Sequence, residues 1–334
     1  MTEAIEFHLL NDYQRDFPLV PTPFAAIAHK LGITEKLVLD TLRELQARGS
    51  VSRVGAVFRP HRVGYSALAA MAVPEDQLAQ AAQMVNACSA VNHNYQREHT
   101  YNLWFVVTAA NEDSVLEALH GLERRIGCTA LYLPMLEDYH IDLGFNLRAG
   151  HRGATKASCA AKPNAMPFVP SDADRALISA VQSGMPLVSR PYAALGEQAG
   201  LSEEDVFLRL CGMMEQDVIK RFGVVVRHQE LGFHANAMVV WDIPDEQVAG
   251  FGKCIGEAAD VTLCYRRPRR LPAWRYNLFC MIHGRDRDAV LERIEAIRQE
   301  CGLQAFSHEI LFSCRRFKQR GAHYVAPAEA VLAA

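Results

Sequence analysis

Apolar residues recur at helical spacing near the start of the chain. Those at positions 24–31 would fall on one face of a helix that ends at Gly32. Thr34 is a good N-cap for a second helix, and positions 50–58 then alternate as residues of a strand do. Two short helices around a glycine-containing turn, followed by a β-wing, predict a winged helix-turn-helix.

After the wing the pattern changes to a mixture of strands and helices. The predicted strands are 65–73, 91–97, 101–108 and 129–137, and the predicted helices are 75–87 and 112–126. Their order is β-α-β-β-α-β, which is that of the ferredoxin-like unit. The first half of the chain is therefore expected to hold a winged helix and a ferredoxin-like domain.

The chain contains an internal repeat of this pattern. Residues 18–65 and 186–233 are identical at 15 of 48 positions at a constant offset, and Arg53 falls on Arg221. The predicted helices of the second half are 192–199, 203–215, 246–258 and 287–300, and its predicted strands are 218–226, 235–241, 261–266, 276–283 and 304–312. A single duplication followed by fusion explains the repeat.

We therefore expect an α+β fold made of two similar halves. The predicted segments are a winged helix at 1–62, a ferredoxin-like domain at 63–147, a linker at 148–170, a second winged helix at 171–230 and a second ferredoxin-like domain at 231–325. The linker has no acidic residue and several Gly and Pro residues. The two halves are expected to pack through their sheets as an intramolecular pseudo-dimer. Pairing of whole chains into a homodimer stays open.

Composition narrows the class of protein. Half of the 334 residues are apolar and 22% are charged, as in an ordinary globular protein. No run of about eighteen apolar residues occurs, which predicts no membrane span. Acidic residues near the N-terminus do not fit a secretory signal, so we expect the protein in the cytoplasm. The nine cysteines are scattered without a C-x-x-C pair, which predicts reduced thiols and no metal site.

Charge argues against DNA as a partner. The formal net charge is −3, and the candidate recognition helix of the second half opens with three acidic residues at 203–205, which phosphates would repel. In the first half, Lys36 and Arg43 are balanced by acidic neighbours. Both helices are therefore interpreted as scaffold.

The segment 92–105 concentrates groups that can transfer protons or bind anions. They are His93, Tyr95, Arg97 and His99, accompanied by the aromatic residues Tyr101 and Trp104. Because side chains alternate along a strand, the first three are expected on one face, with His99 at the strand end beside Arg97. Bulky rings next to such a face are typical of a pocket wall. A solvated polar face is the alternative.

Arginines and aromatic residues fill the matching segment of the second half. They are Arg266, Arg267, Arg269, Arg270, Trp274, Arg275 and Tyr276. Five guanidinium groups with no acidic residue among them repel one another unless anions lie between them, and arginine binds carboxylates and phosphates well. Nucleic acid and a small ligand with many carboxylates both fit this composition.

The two segments together resemble the siroheme decarboxylases. The pattern is His93-Asn-Tyr-x-Arg-Glu-His99 with Tyr101-Asn-Leu-Trp in the first half, and Tyr265-Arg-Arg-Pro with Tyr276-Asn-Leu-Phe in the second. These are regulator-like proteins, and a winged helix followed by a ferredoxin-like domain is similar to the leucine-responsive transcription regulators. The family often has two homologous subunits, and this chain resembles a natural fusion of the two.

The resemblance implies a tetrapyrrole substrate. The acetate side chains at C12 and C18 of siroheme would lose carbon dioxide, giving 12,18-didecarboxysiroheme in d-type haem biosynthesis. No separate cofactor is expected, because the change is non-oxidative and the iron belongs to the substrate. The arginine and aromatic residues named above would bind the substrate.

We expect the catalytic pocket in the first half, at His93, Tyr95, Arg97 and His99. Both halves keep a Tyr-x-Arg pair, which suits holding a carboxylate, but only the first keeps histidines beside it, which suits proton delivery. The second half has Leu263 where the family has a histidine. Two other functions stay open, a ligand-sensing transcription regulator of the leucine-responsive type and a haem-binding carrier.

Overall fold

Helices and strands follow one another twice in the same order along the chain. The computed structural model describes residues 2–59, 62–141, 168–227, 235–258 and 260–324. Apart from its last three residues, the predicted linker at 148–170 lies outside these ranges. Within them, no helix is long and apolar enough to cross a membrane.

The described chain contains ten α-helices, one short 3₁₀-helix at Asp12–Gln14 and eleven strands. The helices are α1 (Thr2–Asn11), α2 (Pro23–Leu31), α3 (Glu35–Ala47), α4 (Leu78–Ala87), α5 (Glu112–Ile126), α6 (Asp172–Val181), α7 (Pro191–Ala199), α8 (Glu203–Glu215), α9 (Val248–Glu257) and α10 (Arg287–Glu300). The strands are β1 (Val51–Phe58), β2 (Tyr65–Met71), β3 (Val91–Arg97), β4 (Leu103–Ala109), β5 (Ala130–Pro134), β6 (Glu137–Ile141), β7 (Ile219–Val226), β8 (Ala235–Trp241), β9 (Val261–Arg266), β10 (Leu278–Gly284) and β11 (His308–Gln319).

Local sequence explains where the helices of the winged units begin and end. α2 ends at Gly32, whose φ of 67° is a conformation that favours glycine. Thr34 caps α3 by accepting a hydrogen bond from the backbone N–H of Leu37. The second half repeats both devices with Gly200 and Ser202. These caps depend only on residues next to each helix end, so the sequence alone predicts these helix boundaries.

The wing of each unit is a single strand that pairs with the other half. β1 and β7 form an antiparallel ribbon of two strands, which we call the wing ribbon. Gly55 and Gly223 face each other in it, and a Cβ on Gly223 would lie 2.5 Å from the carbonyl oxygen of Tyr13. Close packing therefore requires glycine there. Each unit also has one more helix, α1 or α6, than the sequence pattern predicts.

The two ferredoxin-like units share one sheet of nine strands. The strand order is β5-β2-β4-β3 in the first half and β11-β8-β10-β9 in the second. β11 joins the halves, because residues 308–312 pair with β8 and residues 313–319 pair with β3. β6 joins them again by pairing with β9. The halves thus associate through their sheets, edge to edge, as an intramolecular pseudo-dimer.

The shared sheet curls on itself. Its outermost strands, β5 and β6, are consecutive in the chain and are separated only by Met135 and Leu136. The two edges of the sheet therefore lie side by side, and one face becomes an interior. Helices α4, α5, α9 and α10 pack on the outer face, while Trp104, Trp274 and Phe279 pack inside.

Two strands differ from the sequence prediction by more than two residues at a boundary, and both take part in this exchange. The strand predicted at 129–137 is divided into β5 and β6, because the chain crosses to the other half. The last strand, predicted at 304–312, begins later and continues to Gln319. Each extra length of strand pairs with the other half, and the local pattern of one half carries no sign of that partner.

The cysteines differ in part from the prediction of reduced thiols. Cys254 in α9 and Cys301 at the end of α10 form a disulfide. The other cysteines of the described chain are free thiols, and two of them, Cys264 and Cys280, are buried. The disulfide therefore links the two outer helices of the second ferredoxin-like unit.

Candidate functional site

The interior of the curled sheet contains a cavity of about 430 Å³. Strands of both ferredoxin-like units form its walls, the wing ribbon lines it from the side of the winged units, and residues 319–324 line it after β11. A volume of this size lies in the range of small-molecule sites. The cavity is therefore made jointly by all the domains of the chain.

The cavity wall is strongly cationic. Its charged side chains are Arg53, Arg97, Lys220, Arg221, Arg267 and Arg320, and its histidines are His93 and His283. No acidic residue is present among the described residues that line it. Arg97 is 6% exposed and Arg267 is 8% exposed, and neither forms an ion pair with a carboxylate of the described chain. Buried guanidinium groups without carboxylate partners are costly, so the cavity favours an anionic ligand.

A series of hydrogen bonds orients His93. The side-chain amide of Asn92 donates to the hydroxyl oxygen of Thr108 at 2.8 Å, and that hydroxyl donates to Ser66 at 3.0 Å. The amide oxygen of Asn92 lies 2.6 Å from Nδ1 of His93 and accepts its proton. Neutral His93 therefore keeps Nε2 for a ligand. Burial, and then the charge of Arg53, lower the pKa of His93 to about 4.

Two Tyr–Arg pairs occupy matching positions in the two halves. The guanidinium carbon of Arg97 lies 5.7 Å from the ring centre of Tyr95, and that of Arg267 lies 4.5 Å from the ring centre of Tyr265. Burial lowers the pKa of both arginines and raises the pKa of Tyr95. Each pair offers a phenol and a guanidinium, which are hydrogen-bond donors suited to a carboxylate.

The histidine of the second half comes from a different strand. Leu263 lines the cavity at the position that matches His93. His283 lines it from β10, opposite Asn236 of β8, and its counterpart in the first half is Thr108. The cavity therefore has one histidine from each half, at positions that the repeat does not relate.

His99 lies outside the cavity lining, in a cluster with residues of the second half. Its Nδ1 accepts the backbone N–H of Tyr101 at 2.9 Å, and its Nε2 lies 2.7 Å from a carboxylate oxygen of Glu309. The hydroxyl of Tyr276 donates to the other oxygen of Glu309 at 2.7 Å. The ring of Trp274 packs edge to face on His99 at 5.5 Å. Both ring nitrogens of His99 are engaged in contacts within the protein, which is typical of a structural residue.

This cluster supports the cavity through Trp104, which lines it. The rings of Trp104 and Trp274 are 5.3 Å apart, and the indole N–H of Trp104 donates to the carbonyl oxygen of Tyr101 at 2.6 Å. Tyr101, Trp274 and Tyr276 thus lie behind the wall and do not line it.

Most of the arginine segment also lies outside the lining. These residues are Arg266, Arg269, Arg270 and Arg275. Asp242 and Asp245, which follow β8, form ion pairs of 2.6 to 3.0 Å with the first, second and fourth of them. Arg270 donates to the carbonyl oxygen of Tyr132 at 2.7 Å. Acidic residues from outside the segment therefore neutralise the positive charge that the sequence left unbalanced.

The structure brings five sequence-predicted site residues together at the cavity. They are His93, Tyr95, Arg97, Trp104 and Arg267. Sequence reasoning missed the cations of the wing ribbon and His283. A signal for two of the cations was present, because Arg53 and Arg221 fall on matching positions of the repeat within strands that were assigned to wings.

Two family models match the chain, each once in either half. The AsnC-like ligand binding domain matches residues 62–140 and 230–318. The siroheme decarboxylase NirDL-like HTH domain matches residues 6–51 and 174–220. The family assignment therefore covers most of both halves.

Known proteins are similar over nearly the whole chain. A siroheme decarboxylase NirDL subunit from Paracoccus denitrificans (strain Pd 1222) is 42% identical over 96% of this chain and 97% of its own length. A crystal structure of the siroheme decarboxylase NirDL is similar with a TM-score of 0.70 at 29% identity, covering 96% of this chain and 94% of that one. A crystal structure of NirDL in co-complex with an iron-uroporphyrin III analogue has a TM-score of 0.69 at 27% identity, covering 98% and 95%.

Proposed function

The chain belongs to the siroheme decarboxylases of the NirDL form, and we propose that its cavity removes the carboxyl groups of the C12 and C18 acetate side chains of siroheme. The protein is thus a carboxy-lyase. The product would be 12,18-didecarboxysiroheme, for use in d-type haem biosynthesis. The iron belongs to the substrate.

One observation carries this proposal. The cavity presents six cationic side chains and two histidines, and no acidic residue of the described chain lines it. Siroheme has carboxylates around the whole macrocycle, so cations contributed by every wall match its charge. Each buried charge-assisted hydrogen bond to a carboxylate is worth about 1.5–3 kcal/mol. Trp104, Met238 and Met281 supply apolar surface for the macrocycle.

The reaction needs protons and no net oxidation. When an acetate loses carbon dioxide, the electron pair of the broken carbon–carbon bond stays on a methylene attached to a pyrrole. A protonated ring system accepts that pair, and a proton delivered to the methylene completes a methyl group. One proton thus replaces one carbon dioxide at each acetate. A positioned histidine is the side chain suited to this delivery near neutral pH.

We assign the first proton donor to His93. Without substrate, the low pKa of His93 keeps its side chain neutral near pH 7. The substrate brings carboxylates next to Arg53 and His93, which raises the pKa of His93 and protonates Nε2. Asn92 holds Nδ1 throughout, so the acidic proton faces the substrate. The acid therefore forms only when there is a carboxylate to lose.

We assign the second donor to His283, on the wall formed by the second half. The sequence led us to expect the catalytic residues in the first half, with substrate-binding residues also in the second, and this cavity is lined by both halves. The pairs Tyr95–Arg97 and Tyr265–Arg267 would hold carboxylates that remain on the macrocycle. His99 would act as a positioning residue behind Trp104.

A regulator of the leucine-responsive type is the less supported function. The relatives are decarboxylases, and at the acidic start of α8 Glu203 is paired with Arg190 of the same unit. A haem carrier would bind the tetrapyrrole in the same cavity without changing it.

Incubating the purified protein with siroheme and measuring the mass of the tetrapyrrole by mass spectrometry distinguishes the decarboxylase, the regulator and the carrier. We expect the loss of two carbon dioxide molecules. Binding with unchanged mass would indicate a carrier, and tight DNA binding with unchanged mass would indicate a regulator.

A further inference from the structure

After β11 the chain continues along the cavity in a short segment, residues 320–324, which we call the C-terminal strap. Its first backbone N–H, that of Arg320, donates to the carbonyl oxygen of Asn92 in β3 at 2.9 Å. Its last, that of Tyr324, donates to the side-chain oxygen of Gln182 at the end of α6, also at 2.9 Å. The strap thus connects the sheet of the first half with the winged unit of the second.

The strap places the side chain of Tyr324 in the cavity wall. Its ring packs edge to face on Phe58 of the wing ribbon, with 5.7 Å between ring centres. Gly321 allows this close course, because a Cβ there would lie 3.0 Å from Nη1 of Arg53. The packing fixes the ring by its apolar part and leaves the hydroxyl without a hydrogen-bond acceptor from the described chain.

Tyr324 shares its charged neighbour with His93. Gly321 of the strap packs against the guanidinium of Arg53, and Arg320 bonds to Asn92, which precedes His93, so Tyr324, Arg53 and His93 line the same part of the cavity. Burial raises the pKa of Tyr324 to about 12, so its hydroxyl keeps its proton at neutral pH and can donate it in a hydrogen bond.

We propose that Tyr324 is a substrate-binding residue, whose hydroxyl donates a hydrogen bond to a tetrapyrrole carboxylate that lies beside Arg53 and His93. This inference rests on the proposed function, because it needs a substrate with carboxylates in this cavity. It adds the C-terminal strap to the walls that recognise the substrate. The C-terminal strap belongs to the second half of the chain, but Tyr324 would bind a carboxylate beside His93 of the first half.

Equilibrium titration of full-length protein with iron-uroporphyrin III tests the inference. Tyr324→Phe removes the hydroxyl and keeps the ring on Phe58, so we expect the Kd to rise about tenfold. Tyr65→Phe is the matched control, because that hydroxyl bonds to Glu112 away from the cavity lining, and its Kd should equal that of the unaltered protein. A Tyr324→Phe variant that binds as tightly as the control overturns the inference.

A second measurement needs no substitution. Hydrogen exchange of the backbone amides at 320–324 should slow when iron-uroporphyrin III binds, because a ligand held by Tyr324 ties the strap to the cavity. Unchanged exchange upon binding would contradict the inference. Failure of the proposed function looks different: the unaltered protein itself would then neither bind the iron-porphyrin nor release carbon dioxide from siroheme.

Discussion

Arg97 and Arg267 each reach across the boundary between the two halves. Arg97 of the first half donates from Nη1 to the carbonyl oxygen of Leu311 in the second at 3.0 Å, and Arg267 of the second donates to the carbonyl oxygen of Leu133 in the first. Both arginines line the cavity. Each half therefore positions a cavity-lining guanidinium group of the other.

Replacing Arg97 should separate binding from stability. In Arg97→Met, we expect the affinity for iron-uroporphyrin III to fall at least about tenfold, since a charge-assisted contact of roughly 1.5–3 kcal/mol is lost. The free energy of unfolding without ligand should stay the same or rise, because a buried charge without a carboxylate partner has been removed. Calorimetric titration measures the affinity, and chemical denaturation measures the free energy of unfolding.

Arg275→Met is the control, because it breaks an exposed pair with Asp242 and should change neither quantity. Weaker folding with unchanged affinity would show that Arg97 is only structural.

Substrate binding should take up a proton at His93. At about pH 6 the free side chain is neutral because its pKa is about 4, and the carboxylates of the ligand raise that pKa. We expect the unaltered protein to take up more protons than His93→Leu when iron-uroporphyrin III binds. Calorimetry in buffers of different ionisation enthalpy measures the difference. Equal uptake by the two proteins would rule out His93 as the group that is protonated.

The same pKa makes the free protein sensitive to acid. The folded-state pKa of His93 lies below the unfolded value of 6.5, so the unfolded chain binds the proton first as the pH falls. The free energy of unfolding should therefore decrease between pH 6.5 and about 4, and this decrease should be smaller in His93→Leu. Denaturation curves at several pH values within this window provide the test, and identical pH dependence in both proteins would contradict the shift.

Removing one histidine should leave one carboxyl group in place. If His93 and His283 serve different acetates, His93→Leu and His283→Leu should each accumulate a product lighter by a single carbon dioxide. The blocked step should slow by about 10²–10⁴, the usual contribution of a general acid. Mass spectrometry of timed samples shows the products. Full double decarboxylation at the normal rate by both variants would exclude the assignment.

His99 should tolerate a substitution that His93 does not. Asparagine at position 99 can still accept the backbone N–H of Tyr101, which is the contact that Nδ1 makes now. We expect the turnover of His99→Asn to fall by less than about 10², whereas His93→Asn should lose the full contribution of a general acid. Steady-state rates with siroheme give the comparison. An equal loss in both variants would mean that His99 takes part in proton transfer.

The ion pair between Arg59 and Asp217 should stabilise the contact between the winged units. Arg59 is 5% exposed, and its guanidinium meets both carboxylate oxygens of Asp217 at 2.6 and 2.8 Å. Arg59→Met leaves the carboxylate without this partner, which should cost about 3 kcal/mol of unfolding free energy. Arg43→Met breaks an exposed pair with Asp40 and should cost about 1 kcal/mol or less. Similar losses in chemical denaturation would contradict the difference in burial.

The sequence alone determined the elements and their order. Helical and strand periodicity, the cap at Thr34 and the stop at Gly32 depend on neighbours within a few residues, so they can be read locally. The repeat is a property of the whole sequence, and it predicted both the duplication and the pairing of the halves. The exchange of strands escaped prediction, because β6 and the end of β11 find their partners in the opposite half.

The candidate site was likewise predicted in part from the sequence, while the rest depends on the tertiary structure. Strand alternation placed His93, Tyr95 and Arg97 together, since residues two apart in a strand share a face. Only the tertiary structure decided that Asp242 and Asp245 neutralise most of the arginine segment and that the wing ribbon adds its cations to the cavity. Those contacts join residues far apart in the chain. They form because the sheets and the wings of both halves are buried together, and no local pattern of the sequence specifies contacts between segments so far apart.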